Sequence, residues 1–184
     1  MKRSVQLSVI LLLILLAVGC SFASDKVEAG AFSEQIADMV LQNASYVVGL
    51  QDAQPVHIEA QTIELYTAAH KAIVYEGTFT QKSPTEELLF SGRFDKAEID
   101  TNTNNMDLFG TIVIENHKEG LRIEASKLSW DNDNWTATTN KEDEVTIIRQ
   151  SRDILKGRGF WGDFSTSTFE FVRMEEGHLA QENH

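Results

Sequence analysis

The residues most able to bind a metal or move a proton near neutral pH are five histidines, His57, His70, His117, His178 and His184. Zinc sites set their ligands at short fixed intervals, and a helical His-Glu-x-x-His stacks two of them one turn apart. No such interval occurs, so all five read as surface or edge residues and no metal is expected. The run Asp131-Asn132-Asp133-Asn134, with Glu142 downstream, has the oxygen density of a calcium loop. Trp135 and Thr136 stand where such a loop needs an oxygen ligand and its obligate glycine, so the run reads as a turn. Gly157-Arg158-Gly159 has no helix behind it to aim backbone N–H groups at a phosphate. No Gly-x-Ser-x-Gly, Walker sequence or dinucleotide fingerprint is present, and nothing around pairs such as Asp95 and Glu98 argues for a raised pKa. The chain therefore shows no catalytic residue and no cofactor site, and is not expected to be an enzyme.

The remaining reactive side chain is the single cysteine, Cys20, which excludes a disulfide framework. Lys2 and Arg3 precede an apolar run, Val9 to Val18, in the order of an export signal. Ala17-Val18-Gly19-Cys20 resembles a bacterial lipobox, in which the cysteine is acylated and becomes the mature N-terminus; inserted acyl chains would then hold the protein at a membrane. The alternative is an uncleaved anchor over Val5 to Ala23, diluted by Gln6, Ser8 and Ser21. The formal charge is −12, from 16 basic and 28 acidic side chains. Such a surface repels nucleic acid, whose binding needs matched opposite charge. The expected organisation is a signal or anchor over 1–20, a small polar tether over 21–30, one domain over 31–174 and a flexible polar tail over 175–184.

The elements that follow are almost all extended. Phe32, Ile36, Met39, Val40 and Val47 fall near a helical period with Ser33 as cap, predicting a short amphipathic helix over Ser33–Asn43. From Val56 onward the pattern is β. Leu108 to Ile114 and Leu121 to Trp130 flank the turn Asn116-His117-Lys118-Glu119-Gly120, which predicts a hairpin. Similar runs at Val56–Tyr66, Lys71–Gln81, Glu87–Asp100, Asn134–Thr139, Asp143–Gln150, Arg152–Phe160 and Ser167–Met174 complete an all-β reading. Small residues recur at Ala60, Gly92, Ala125 and Gly157, and again at Gly77 and Gly110, at spacings of 32 or 33. That register predicts repeated hairpins in which a tiny residue permits close approach. Ile112, Ile114, Leu121, Ile123 and Ala125 share one register and predict a buried face. The opposite face, with Phe109, Val113, Ile73 and Tyr75, is more apolar than solvation requires, so the sheet must fold over itself or bind something apolar. Phe160, Trp161, Phe164, Phe169 and Phe171 form either an end of that core or an apolar rim on an open edge.

The order and spacing of several runs resemble the LptC family of lipopolysaccharide-export components, within the OstA-like β-jellyroll superfamily. They are Pro55 to Ala60, Ala97-Glu98-Ile99-Asp100, Asn105 to Ile114, Leu121 to Asp131, Asp143 to Ile147 and Lys156 to Phe160 with Asp163. The resemblance covers about Tyr46 to Asp163. It implies a single twisted, incompletely closed β-jellyroll whose layers form a trough for acyl chains. Lining candidates are Ile58, Ala60, Ile112, Ile114, Leu121, Ile123, Ala125, Ile147 and Phe160. It further implies a lipopolysaccharide-like glycolipid as substrate and a place at the periplasmic side of the inner membrane. The implied partners are the membrane subunits of an inner-membrane ABC transporter at the N-terminal edge and a soluble periplasmic bridge protein at the C-terminal edge. Edge candidates are Tyr46, Val56, Gly157, Gly159, Phe169 and Phe171. Better-known members are held by an uncleaved helix, so Cys20 leaves anchor or lipid open. The rival reading is a structural or scaffolding lipoprotein that docks partners by adding strands to its sheet edges.

Overall fold

The computed structural model describes residues 36–49, 54–149 and 153–178. Ten strands form one antiparallel sheet: β1 (Met39–Val48), β2 (Val56–Tyr66), β3 (Lys71–Lys82), β4 (Leu88–Asp100), β5 (Met106–Asn116), β6 (Leu121–Asp131), β7 (Thr136–Thr138), β8 (Glu144–Arg149), β9 (Asp153–Asp163) and β10 (Thr168–His178). Neighbours in sequence are neighbours in the sheet, except that β7 and β8 both lie between β6 and β9. They are two pieces of one strand position, broken at residues 139–143.

The expected N-terminal helix is overturned. Residues 39–43 of that segment are strand, and 33–35 lie outside the described residues. The residues that mimicked a helical stripe, Ile36, Met39, Val40 and Val47, are all at least half exposed. The inward positions are Leu41, then Ala44, Tyr46 and Val48. Asn43 adopts φ 48° between them, and this left-handed residue flips the alternation. The apparent helical stripe is thus a set of exposed apolar residues, none of them among those turned inward. The last strand also runs to His178 rather than Met174, so the first residues of the expected tail are paired with β9.

The flip at Asn43 recurs on its neighbours. Gln61 opposite it, Glu76 (φ 51°) on β3 and Asp95 on β4 interrupt the ladders at the same height. On β5 the irregularity is a bulge at Gly110 (φ 88°), where the Asp95 carboxylate accepts a hydrogen bond from the Thr111 N–H at 2.7 Å. On β9 it is Gly159 (φ 65°). Left-handed residues and bulges bend a strand. Aligned across the sheet, they form a polar outer spine along which it folds into two layers.

Interior rows run perpendicular to the strands. In the upper layer Tyr46, Ile58, Phe79, Gly92, Ile114, Ile123, Ile147 and Leu155 are successive cross-strand partners. In the lower layer the sequence is Leu65, Ala72, Ile99, Met106, Trp130, Ala137, Gly162 and Phe169. Contacts between the free ends of the layers close the fold. The Phe90 and Phe164 rings lie 6.5 Å apart, Ser167 donates to Glu119, and Asn104 Nδ2 donates to the Gly49 carbonyl at 2.9 Å.

The small residues of the repeat find a specific use. Gly77 pairs with Phe94 and Gly92 with Phe79, and a β-carbon at either glycine would overlap its partner's ring. The rings thus lie over glycine backbone rather than standing between layers. A second repeated feature is at the lower turns. Asp100, Asp131 and Asp163 each end a long strand and accept two backbone N–H bonds from the turn that follows. These and side-chain hydrogen bonds hold each carboxyl below the usual carboxylate range, led by the Thr103 N–H at Asp100, the Asn134 side chain at Asp131 and the Ser165 hydroxyl at Asp163.

Candidate functional site between the two layers

Alternation and the spine together decide which side chains enter the space between the layers. From the upper layer come Val56, Ile58, Phe79, Gln81, Phe90 and Ile114, with Phe94 at the spine. Met106, Leu108, Leu128 and Trp130 face them from the lower layer, and Trp135 and Phe164 come from its turns. They enclose an apolar cavity of about 90 Å³. The space exists because flat rings lying on glycines fill a layer unevenly, whereas branched aliphatics interdigitate.

Its rim is an aromatic chain. Phe164 meets Trp130 edge-on at 5.4 Å and Phe169 at 5.7 Å, and Trp130 meets Trp135 at 6.0 Å. The Phe164 N–H donates to the Trp135 carbonyl at 3.0 Å, tying the β9–β10 turn to the β6–β7 turn. Asp163 fixes the start of that turn through Ser165 and Thr166.

All nine lining candidates point to the interior, but they do not share one environment. Ile58 and Ile114 line the cavity. Ile112, Ile123, Ile147 and Phe160 are about 1% exposed, locked in continuous packing. Leu121 and Ala60 are buried and Ala125 packs against the same core. The lower-layer lining was missed completely. Strict alternation from Ile123 predicts Lys127 and Ser129 inside; the break after Ala125 turns Leu128 and Trp130 inward instead. The only signal for this is the change of apolar parity along each strand.

The edge candidates also divide. Tyr46 is on β1 and Phe169 and Phe171 are on β10, the two outer strands of the sheet. Val56 is on β2 and lines the cavity, while Gly157 and Gly159 are on β9 beneath β10. Phe160 lies against Phe169 and Phe171 at 6.0 and 5.6 Å, so most of the aromatic set is packing; Trp161 alone points outward. Burial pushes the Tyr46 phenol up. Arg158 on β9 reaches Glu175 on β10 at 2.6 Å and Glu144 on β8 at 3.3 Å, tying the three strands together.

Other clusters give no reactive arrangement. Ser91 Oγ lies 2.7 Å from His117 Nε2, but the nearby Glu115 faces the serine, 3.5 Å away, rather than the far side of the ring. A nucleophile needs its base oriented from behind, which this pair lacks. On the outer face Phe109 is flanked by Lys96 and Lys127 at 5.5 and 5.6 Å. Among the described residues no His, Cys, Asp and Glu cluster could hold a metal, and no helix is long and apolar enough to cross a membrane. Cys20 lies outside the described residues.

No curated protein matches the sequence. Among solved structures, the crystal structure of LptH, the LptA-homologous periplasmic component of the lipopolysaccharide transport device of Pseudomonas aeruginosa, superposes with a TM-score of 0.54. Identity is 15%, and the match covers 65% of this chain and 83% of that one, which makes the likeness one of fold. The model of the family described as lipopolysaccharide-assembly, LptC-related, matches residues 8–178. Matched over nearly its whole length, the chain belongs to the LptC-related lipopolysaccharide-assembly family.

Proposed function

We propose that this chain is a station in an envelope lipid-transport bridge. It receives a lipopolysaccharide-type glycolipid from an inner-membrane ABC transporter, keeps the acyl chains between its layers with the headgroup in water, and passes them to a soluble periplasmic bridge protein. The observation that carries this is the apolar cavity between two layers of a sheet whose outer strands both lack a second neighbour among the described residues. Each buried CH₂ contributes about 0.8 kcal/mol without any directional group, so a chain binds and can also slide. The cavity, about 90 Å³, is smaller than the roughly 150 Å³ known to admit benzene. It holds a short stretch of chain, and a longer one requires the layers to part at the aromatic rim.

Both edges are suited to further strands. Met39, Val40 and Val47 on β1, and Val172 and Met174 on β10, are about half or more exposed. Apolar side chains beside unpaired backbone groups favour addition of a partner strand. In this reading β1 faces the transporter and β10 the bridge protein, with Cys20 acylation or an N-terminal helix holding the chain at the periplasmic side of the inner membrane. The continuous packing around Ile123, Ile147 and Phe160 favours a second reading, a scaffold that only docks partners by its edges.

Photo-crosslinking separates the two. Benzoylphenylalanine at Phe90 or Phe164 is expected to capture glycolipid in cells, and at Phe171 or Val47 to capture protein. Lipid capture no greater at Phe90 than at the outward-facing Glu124 leaves only the scaffold.

A further inference from the structure

Among the described residues two buried side-chain polar atoms have no hydrogen-bond partner, Trp130 Nε1 and Asn132 Oδ1. They stand two positions apart at the lower end of β6, and one is a donor and the other an acceptor. Asn132 is 5% exposed, and its backbone N–H donates to Asn105 Oδ1 at 2.9 Å, so the residue is pinned while its side-chain oxygen stays unmatched. A buried tryptophan N–H ordinarily finds an acceptor, and leaving it without one is costly. Phenylalanine would offer Trp135 and Phe164 a ring in the same place without that cost.

The place of Trp130 in the wall indicates what the donor is for. With Met106 it borders the apolar cavity on one side. On the other, the same two residues border a hollow of about 520 Å³ that is also lined by Lys71, Glu98, Asp107 and Ser129. Lys71 and Glu98 form an ion pair there. A chain lying in the cavity with its head in the hollow changes from apolar to polar at this indole.

We propose that Trp130, with Asn132 beside it, is the specificity-determining residue for the linkage that joins an acyl chain to its headgroup. Nε1–H donates to the carbonyl oxygen of that linkage, and Asn132 Oδ1 accepts from an N–H or O–H next to it. A secondary amide therefore satisfies both atoms and an ester only the first. Both atoms are covered in the closed molecule, and parting of the Trp130, Trp135 and Phe164 rings to admit a longer chain uncovers them. The proposal rests on the lipid-trough reading above. Hydrocarbon contacts are non-directional and select weakly by length alone. A fixed donor at the boundary sets how far a chain slides before it is held.

The test uses the purified full chain, displacement of an apolar fluorescent reporter, and NMR of the indole N–H groups. Four neutral competitors of equal chain length are compared: the alkane, a methyl ester, an N,N-dimethyl amide and an N-methyl amide. In the wild type the Trp130 indole resonance, assigned by its loss in Trp130→Phe, should move with the three carbonyl-bearing probes and stay in place with the alkane. Trp130→Phe should weaken those three about fivefold relative to the alkane, whose own competition is unchanged. Asn132→Leu should weaken the N-methyl amide by a similar factor and spare the N,N-dimethyl amide. If Trp130→Phe weakens all four alike, or the wild-type resonance is unmoved by carbonyl probes that do displace the reporter, the proposal is overturned and the trough stands. Equal loss of both amides in Asn132→Leu overturns the part assigned to Asn132. If no competitor displaces the reporter from the wild type, the trough reading itself fails and the proposal with it.

Discussion

The interior has two halves of similar apolarity and different texture. Around β6, β8 and β9, Ile123, Val145, Ile147, Ala137 and Phe160 are all about 1% exposed or less. Between the layers of β2 to β6, Phe79, Phe90, Met106, Ile114 and Trp130 are only partly buried and border open space. The contrast is one of shape. Branched aliphatics on successive strands mesh, and reciprocal glycine–phenylalanine pairs leave a gap between layers. Hydrophobicity alone does not separate a filled core from an apolar cavity.

The largest expected difference follows directly. Ile147→Ala removes side-chain atoms from a filled region and should cost about 2–4 kcal/mol in denaturant unfolding. Ile114→Ala, in the same row but beside existing space, should cost about half that, since less packing is lost. The order reverses for function: Ile114→Ala should change glycolipid capture at Phe90, whereas Ile147→Ala should not beyond its effect on the folded population. Equal destabilisation by both would mean that the two halves are packed alike.

The strands themselves were legible because their polar turns and β-branched runs are local signals. Val56–Tyr66 has the expected limits, and the Leu108–Ile114 run lies inside Met106–Asn116. The apolar second face called for a sheet folded over itself or covered by something apolar, and the family resemblance supplied the two-layer form; the spine itself depends on alignment across strands. Asn43 and Glu76 are ordinary polar residues in sequence; only their common height makes a bend. The same alignment hid the site. Thr62 and Glu64 occupy the register that Ile58 and Ala60 begin, yet Ile63 and Leu65 are the residues turned inward. The inward face of the upper layer could be read, and the lower layer that completes the cavity could not.

Glycine substitutions sharpen the comparison at smaller amplitude. At Gly77 the three atoms nearest a β-carbon all belong to the Phe94 ring, which can swing into the cavity; at Gly92 the nearest is the Val113 carbonyl oxygen, which cannot, followed by the Phe79 ring. Gly92→Ala should therefore cost about 1–3 kcal/mol in thermal or denaturant unfolding, and Gly77→Ala distinctly less. Gly77→Ala should still weaken binding of an apolar fluorescent reporter, because the displaced ring occupies the cavity. Unchanged binding would show that Phe94 has room to move elsewhere.

The smallest effect concerns the aromatic rim and depends on pH. The Asp163 carboxyl is held below its ordinary value, chiefly by the Ser165 hydroxyl and then by turn N–H groups. A carboxyl depressed on folding stabilises the native state above its unfolded pKa, near 3.9, and that contribution is lost as pH falls through the lower folded value. Asp100 and Asp131 titrate in the same direction, as do Glu98 beside Lys71 and Lys96 and Glu175 beside Arg158. Stability should fall below about pH 4 for all of them together. Asp163 differs in that the residue following it is Phe164, which closes the cavity against Phe90 and Trp130. Asn in its place keeps an acceptor oxygen for the turn and does not titrate. Reporter binding in the wild type should change between pH 5 and pH 3 while the fold persists, and Asp163→Asn should reduce that change. Asp131→Asn, at a turn leading to Trp135, should reduce it less, and Asp100→Asn, whose turn carries no rim residue, should leave it as in the wild type. If all three substitutions act equally, the acid response belongs to the sheet as a whole and the rim has no separate part in it.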